Sequence, residues 1–237
     1  VNIGPFSVIQ ANTKIGDGSI IGNNVTICKN TQVGIKCKIF HSSSIGEIPQ
    51  DLKFEGEDTS TIIGDETVIR EFVTINRGTK ANGKTEIGSN CLLMASTHVA
   101  HDCILRNNVI LSNLTTLGGH VSIGDWAVLG GGVLVHQFTN IGEHAFIGGG
   151  FRVVQDVPPF ILAAEDPLKF KGINRVGMKR RGFSLEDRRL IKKIYQIYFR
   201  SGINREDAIN LIKSNFTKSD ITNRIITFIN NTDRGII

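Results

Sequence analysis

Residues 87–153 read IGSNCLLMASTHVAHDCILRNNVILSNLTTLGGHVSIGDWAVLGGGVLVHQFTNIGEHAFIGGGFRV, with an aliphatic side chain at every sixth position from Ile87 to Val153. The same phase runs back toward the start through Ile75, Ile69 and Ile63, and again from Ile45 to Ile3. It lapses only at Asp51, Glu57 and Ala81, so that 23 of 26 in-phase positions are Ile, Leu or Val. Glycine follows the aliphatic residue in 12 of those 23 units, as at Gly4, Gly16, Gly22 and Gly124. The residue four after it is small or β-branched, as at Ser7, Thr13, Ser19, Val25, Thr31 and Cys37. A six-residue period fits neither an α-helix nor an alternating strand. It fits a short strand and a turn, the hexapeptide unit of a parallel β-helix. The glycine is expected to supply the positive φ of a tight corner.

Three units make a triangular coil of about 18 residues, and successive coils stack at about the 4.8 Å strand spacing. Residues 18 apart therefore lie above one another. The expected architecture is mainly β, a parallel β-helix over residues 1–157 with polar loops at 46–62 and 76–86. Which face follows each loop is left open by the sequence. The period ends at Asp156-Val157-Pro158-Pro159, residues 158–183 read as a linker, and residues 184–237 read as a small helical domain. Ser184-Leu185-Glu186-Asp187 marks a capped helix start, and Glu206–Phe216 and Asp220–Ile229 mark two further helices. The chain opens at Val1 in mid-repeat, so either preceding coils or a short solenoid is expected.

The 237 residues carry 26 glycines and 5 prolines and are 40% hydrophobic and 21% charged, which excludes a disordered or collagen-like chain. No apolar run approaches the roughly 18 residues of a membrane span, and no charged-then-apolar leader opens the chain. Cys28, Cys37, Cys91 and Cys103 form no C-x-x-C pair, so they read as reduced core residues of a cytoplasmic protein. Residues 168–237 hold 16 Lys and Arg against 6 Asp and Glu, a net +10 on a chain whose total is +5. An acidic or phosphorylated partner suits such a segment. Nucleic acid is disfavoured, because Tyr195 and Tyr198 sit on an apolar helical stripe and form no stacking platform. A non-catalytic ice-binding or scaffolding solenoid is disfavoured by scattered threonines and a histidine-rich edge.

That edge follows from the register. Val99, Leu117 and Val135 form one column, so Gly119 and Gln137 stack over His101. His98, His101, Asp102, His120, His136 and Gln137 gather along it. A His-Asp pair suits proton abstraction from a hydroxyl, and the Gly118-Gly119 backbone suits an oxyanion. Three imidazoles also suit zinc, which the residues leave as a competing reading.

The segments Ile45-Gly46-Glu47, Gln50-Asp51-Leu52-Lys53-Phe54, His98-Val99-Ala100-His101-Asp102-Cys103, Gly119-His120-Val121, Val135-His136-Gln137-Phe138, Gln155-Asp156-Val157-Pro158-Pro159 and Gly177-Met178-Lys179-Arg180-Arg181-Gly182-Phe183, with the Arg234-Gly235 tail, span nearly the whole chain. In this order they resemble the acyl-[acyl-carrier-protein]–UDP-N-acetylglucosamine O-acyltransferase family, which catalyses the first step of lipid A biosynthesis. The resemblance implies a left-handed β-helix, a homotrimer with sites between neighbours, and no metal or resident cofactor. The acyl donor rides on the phosphopantetheine arm of acyl carrier protein. It implies His101 as general base toward the glucosamine 3-hydroxyl, Asp102 as its support and the Gly119 amide as oxyanion donor. Gln50, Asp51, Lys53, His98, His120, His136 and Gln137 would surround the sugar nucleotide and the pantetheine arm. Asn174, Arg180 and Arg181 would hold phosphate or base, for which the arginine fork is suited. Ala163-Ala164-Glu165-Asp166-Pro167 departs from the family's Gly-Asn pattern, which leaves the acyl-chain fit there open. The alternative is a related enzyme that forms an amide on an amino-sugar nucleotide.

Overall fold

Each hexapeptide buries two side chains, the large aliphatic and the small residue four beyond it. In one face the aliphatic residues Ile27, Ile45, Ile75, Val99, Leu117, Val135 and Val153 are each no more than 4% exposed, and only Ile9 at the open end is partly buried. The small partners Val25, Val73, Thr97, Thr115 and Val133 are equally buried. At about 1.5–3 kcal/mol for each large aliphatic, these columns supply the main driving force for coiling. The structure is a computed structural model that describes residues 1–216 and 219–237.

Among the described residues the strands form three parallel faces. Face A runs from Asn2–Ile3 to Phe146–Ile147, face B from Val8–Ile9 to Arg152–Val153, and face C from Lys14–Ile15 to Asn140–Ile141. Neighbouring rungs pair in the anticipated register, as in His98 with Thr116 and Val99 with Leu117. Both loops leave at one corner. The chain passes from Ser44–Glu47 in face B to Ser60–Ile63 in face C, and from Thr74–Asn76 in face B to Lys84–Ile87 in face C. The order of faces is therefore uninterrupted, which answers what the sequence left open.

Apart from Gly46, whose φ of 79° is of the expected kind, the glycines that follow the aliphatic column do a different job from the one expected. The left-handed residue of each corner lies three beyond the aliphatic, as at Asn12, Asn24, Asn30 and Asn108, with φ between 55° and 60°. Asparagine tolerates that region. Gly16 and Gly124 are required by close approach instead. A Cβ on Gly16 would lie 2.6 Å from the Gly34 carbonyl carbon, and one on Gly124 2.5 Å from the Glu143 nitrogen. The stacked coils leave no room for a side chain there.

The cysteines are free and buried. Cys91 and Cys103 occupy the small position, where their thiols donate to the Arg106 and Gly118 carbonyls at 3.2 Å, as threonine hydroxyls do elsewhere. Burial pushes the Cys103 thiol up to about 12.

Residues 158–183 are more than a linker. Ile161–Ala164 adds to face A parallel to Phe146–Ile147, and Lys169–Ile173 folds back antiparallel against it. Helix α1 (Arg175–Arg180) follows. Phe160, Ile161 and Ala163 still face the core, and the backbone of the last coil gains a partner. The six-residue phase is lost while the inward alternation persists, so the periodicity alone hides these strands. Helix α2 (Leu185–Arg200) starts at Ser184 with a complete capping box to Asp187, as anticipated. Helices α3 (Arg205–Asn215) and α4 (Asp220–Asn230) begin behind Asn204 and Ser219 caps. The helices rest on the final coils. The Tyr195 hydroxyl donates to the Pro159 carbonyl at 2.6 Å, and Arg224 pairs with Glu143.

Candidate active site

The corner between faces B and C carries the site. Beyond Val99, Leu117 and Val135 come two stacked rows: His101, Gly119 and Gln137, then Asp102, His120 and Phe138. The second row adopts left-handed φ of 60°, 60° and 64°. The His120 N–H donates to the His101 carbonyl, and the Phe138 N–H to the Gly119 carbonyl, both at 3.0 Å. Gly119 lies so close over His101 that a Cβ there would sit 2.6 Å from the ring's Cε1. The Gly119 N–H donates to no carbonyl among the described residues, whereas the amides of Gly118 and His120 both do.

Asp102 is the hub. Its side chain is fully buried, and Oδ2 lies 2.8 Å from His101 Nδ1 and 3.6 Å from His120 Nε2. Thr79, on the second loop, donates its N–H to Oδ1 at 2.9 Å and its hydroxyl to Oδ2 at 2.7 Å. Burial acts to raise the carboxyl's pKa, but the hydrogen bonds from His101 and Thr79 outweigh it and hold the group below the ordinary carboxylate range. Asp102 is thus an anion aimed at His101 Nδ1, which leaves Nε2 as that ring's other nitrogen. His120 is lowered by burial, against an opposing pull from Asp102. Its ring stacks on Phe138 at 4.5 Å.

A cleft of about 650 Å³ opens at this corner, lined by Gln50, Asp51, Lys53, His101, His120 and Gln137 among others. Six of the predicted residues therefore meet in one cavity of a single chain. His98 and His136 stand beside it. His98 projects from face B with Nδ1 2.8 Å from the Thr74 hydroxyl, and burial lowers its pKa. His136 is exposed, with Nδ1 3.1 Å from the Gln137 carbonyl oxygen. The ligand atoms of His101, Asp102 and His120 lie within 4.8 Å of one another, which makes these three the group able to hold a cation among the described residues. The 2.8 Å contact between His101 and Asp102 is a hydrogen-bond distance. Two ligands each about 2.0 Å from tetrahedral zinc stand roughly 3.3 Å apart.

Asn174, Arg180 and Arg181 lie elsewhere. They line a cavity of about 950 Å³ between α1 and face A, floored by Ile110, Val128 and Phe146. Asn174 is buried; its side-chain Oδ1 accepts from the Gly177 N–H to cap α1, and its side-chain Nδ2 donates to the His144 carbonyl. The Arg181 guanidinium lies 4.9 Å over the Trp126 ring, and its buried Nη1 has no hydrogen-bond partner among the described residues. Burial, then Arg180, lowers the Arg181 pKa.

Profiles and relatives agree with this architecture. A profile described as UDP N-acetylglucosamine O-acyltransferase, domain 2, matches residues 156–237, and a bacterial transferase hexapeptide profile matches residues 1–29. The acyl-[acyl-carrier-protein]–UDP-N-acetylglucosamine O-acyltransferase of Thermodesulfovibrio yellowstonii is 45% identical over 100% of this chain and 92% of its own. The enzyme of the same name from Campylobacter concisus is 40% identical over 99% of this chain and 92% of its own. This chain belongs to that family of acyltransferases. Solved structures of a Francisella novicida UDP-N-acetylglucosamine acyltransferase and a Moraxella catarrhalis UDP-N-acetylglucosamine O-acyltransferase superpose on the chain with TM-scores of 0.96 and 0.95. They share 37% and 38% identity and cover 99% of this chain and 87% and 92% of their own.

In this acyltransferase six residues that line the cleft were given no role from the sequence, and Phe138 and Thr79 are the two that touch the His101–Asp102–His120 cluster. Phe138 lies 18 residues beyond His120, so the stacking rule alone finds it. Thr79 sits 23 residues before Asp102, across a loop that breaks the 18-residue spacing, and no pattern signals it.

A third feature supports the second cavity. Trp126, His144 and Phe160 stack along the corner between faces C and A, with Phe183 edge-on to His144. Burial, with Arg181 and Arg224 nearby, pushes His144 from the ordinary 6.5 down to about 4. A depressed histidine contributes stability that is complete above its unfolded pKa and is lost as pH falls toward the folded one. The expected loss between pH 7 and pH 4 is about 3 kcal/mol from this group. His144→Phe keeps the stack and removes the titration. Urea unfolding at pH 7 and at pH 4 should then show a smaller acid loss than in the parent; an equal loss would exclude His144 as its source.

Proposed function

We propose that the chain transfers a 3-hydroxyacyl group from the thioester of acyl carrier protein to the 3-hydroxyl of UDP-N-acetylglucosamine, the first step of lipid A biosynthesis. The observation that carries the mechanism is the His101–Asp102 pair with the Gly119 amide stacked over it. His101 Nε2 accepts the hydroxyl proton as the sugar oxygen attacks the thioester carbonyl carbon. The C–O bond forms and the carbonyl electron pair moves to oxygen, where the unoccupied Gly119 N–H donates. The intermediate collapses, the C–S bond breaks, and the imidazolium returns its proton to the departing thiolate. Asp102 fixes the tautomer and steadies the imidazolium, the role of the carboxylate in a catalytic triad. Asp51, Lys53, His120 and Gln137 line the cavity that would receive the acceptor and the pantetheine arm, with Gln50 beside them and His98 and His136 at its margin. The reading calls for no metal or resident cofactor, and the pantetheine arm belongs to the donor.

A homotrimer completes the site. Face A turns an apolar row outward, Val68, Leu92, Ile110, Val128, Phe146 and Leu162, each partly exposed. A neighbouring copy against that face would bring its His101 corner to the Asn174–Arg181 cavity. The sugar nucleotide's phosphates would then satisfy Arg180 and Arg181. A third cavity of about 530 Å³ between the terminal hairpin and α2 is lined by Lys171, Arg175, Arg188, Arg189, Lys192 and Arg200 with no acidic residue. That field suits an acidic carrier protein and would raise its encounter rate. Among the described residues no helix is long and apolar enough to cross a membrane, and the buried free thiols suit the reducing cytoplasm.

The test mixes two impaired variants, His101→Ala and Arg180→Ala, by co-expression under separate tags. Transfer to UDP-N-acetylglucosamine is assayed with a ladder of 3-hydroxyacyl carrier proteins at subsaturating nucleotide. With sites shared between subunits, one interface in roughly four of a random 1:1 trimer population keeps both residues, so activity returns to about that fraction. No recovery in mixed assemblies would place the site within one chain. Transfer only to a 3-amino acceptor would turn the reading to amide formation.

A further inference from the structure

We propose that Thr79 is a positioning residue of the reaction, holding the Asp102 carboxylate on His101 and away from His120. The inference rests on the His101–Asp102 reading above. Two imidazoles compete for one carboxylate oxygen, at 2.8 Å and 3.6 Å. The carboxylate is turned toward His101 by a residue that grips both its oxygens at once, through the Thr79 N–H on Oδ1 and the Thr79 hydroxyl on Oδ2. The hydroxyl is itself oriented. Its oxygen accepts the Ala81 N–H at 3.2 Å, which leaves its proton directed at Asp102.

The grip is anchored on both sides. The Thr79 carbonyl accepts the Gly83 N–H at 2.7 Å, which closes the loop on itself. The Thr59 hydroxyl donates to the Gly78 carbonyl at 2.6 Å in a buried contact, and the Gly78 N–H donates to Ser60. Thr59 ends the loop that carries Gln50, Asp51 and Lys53. Asp102 is held from its backbone too, with its N–H on the Thr85 hydroxyl at 2.8 Å and its carbonyl accepting from the Asn82 amide at 3.3 Å. Hydrogen bonds therefore connect the substrate loop to the base through Gly78, Thr79 and Asp102. Losing the hydroxyl would leave Oδ2 free to swing between the two rings.

Thr79 also lines the cleft, so the experiment separates positioning from substrate contact. Thr79→Val, Thr79→Ser, Asp102→Ala and the Thr79→Val/Asp102→Ala double variant are assayed for kcat and for KM of the sugar nucleotide. A hydrogen bond to a charged group is expected to be worth roughly 10- to 100-fold in kcat. Thr79→Val should lose that factor with KM within about twofold, and Thr79→Ser should recover most of it. In the Asp102→Ala background, Thr79→Val should cost little more, because residues acting through one another are not additive. Additive losses, a KM-dominated loss, or a serine variant as poor as valine would overturn the inference while leaving the base intact. Full activity in Asp102→Ala would remove the pair itself, and the inference with it.

Discussion

Replacing His101 by alanine is expected to lower kcat by roughly 10²- to 10⁴-fold, the usual contribution of a positioned general base. The expectation stands on geometry. Asp102 occupies one ring nitrogen at 2.8 Å, so the proton must be taken at the other. The fold should not suffer. His101 belongs to a corner outside the aliphatic core, and its carbonyl bond to His120 is a backbone contact that alanine keeps. Thermal unfolding and oligomer size of the variant should match the parent. Near-normal turnover by a folded His101→Ala protein would remove it as the base, and His120 would then be the ring to test.

Gly119→Ala is the second large effect. A methyl at this position would meet the His101 ring at 2.6 Å from Cε1 and 2.7 Å from Nε2, with Nδ1 next at 3.2 Å. The three nearest atoms all belong to that side chain and none to the backbone, so stability should change little. The ring must turn instead, and turning draws Nδ1 off Asp102 and moves Nε2 away from its working position. Displacement on the order of 1 Å costs about 10²-fold in rate, and that loss in kcat/KM is expected here. The measurement pairs kinetics with unfolding. A collapse of stability would mean that Gly119 is a packing glycine like Gly16, whose added Cβ would strike the backbone of the next coil.

The repeats were legible because burial imposes them. A side chain that must point inward once per strand leaves a record at every sixth residue, and the 18-residue coil turns that record into coordinates. Gly119 and Gln137 fall over His101 on that arithmetic alone. What stayed hidden lies where the chain leaves the coil. Thr79 reaches Asp102 through a loop whose path no periodicity describes. The strands Ile161–Ala164 and Lys169–Ile173 escaped because the second pairs antiparallel and carries no inward column. The role of the glycines was misread for a related reason. Close approach between coils is a property of stacking, which a single repeat does not display. The separation of Asn174 and the two arginines from the histidine corner was also out of reach, since spacing beyond the last coil fixes no direction.

The single corner that releases both loops has a consequence for how the chain folds. Most rungs pair across 18 residues, as Leu111 does with Leu129, so each coil closes a loop of the same modest length on the one before it. Propagation along such a chain is local, as in other linear arrays of nearest-neighbour units. Only at the rungs flanking the loops does the span lengthen, to 30 residues between Ile45 and Ile75 and 24 between Ile75 and Val99. Each doubling of a closed loop adds only about 0.6 kcal/mol of entropy cost. The detours that give the enzyme its cleft therefore slow the zippering only at two successive coils, and only slightly.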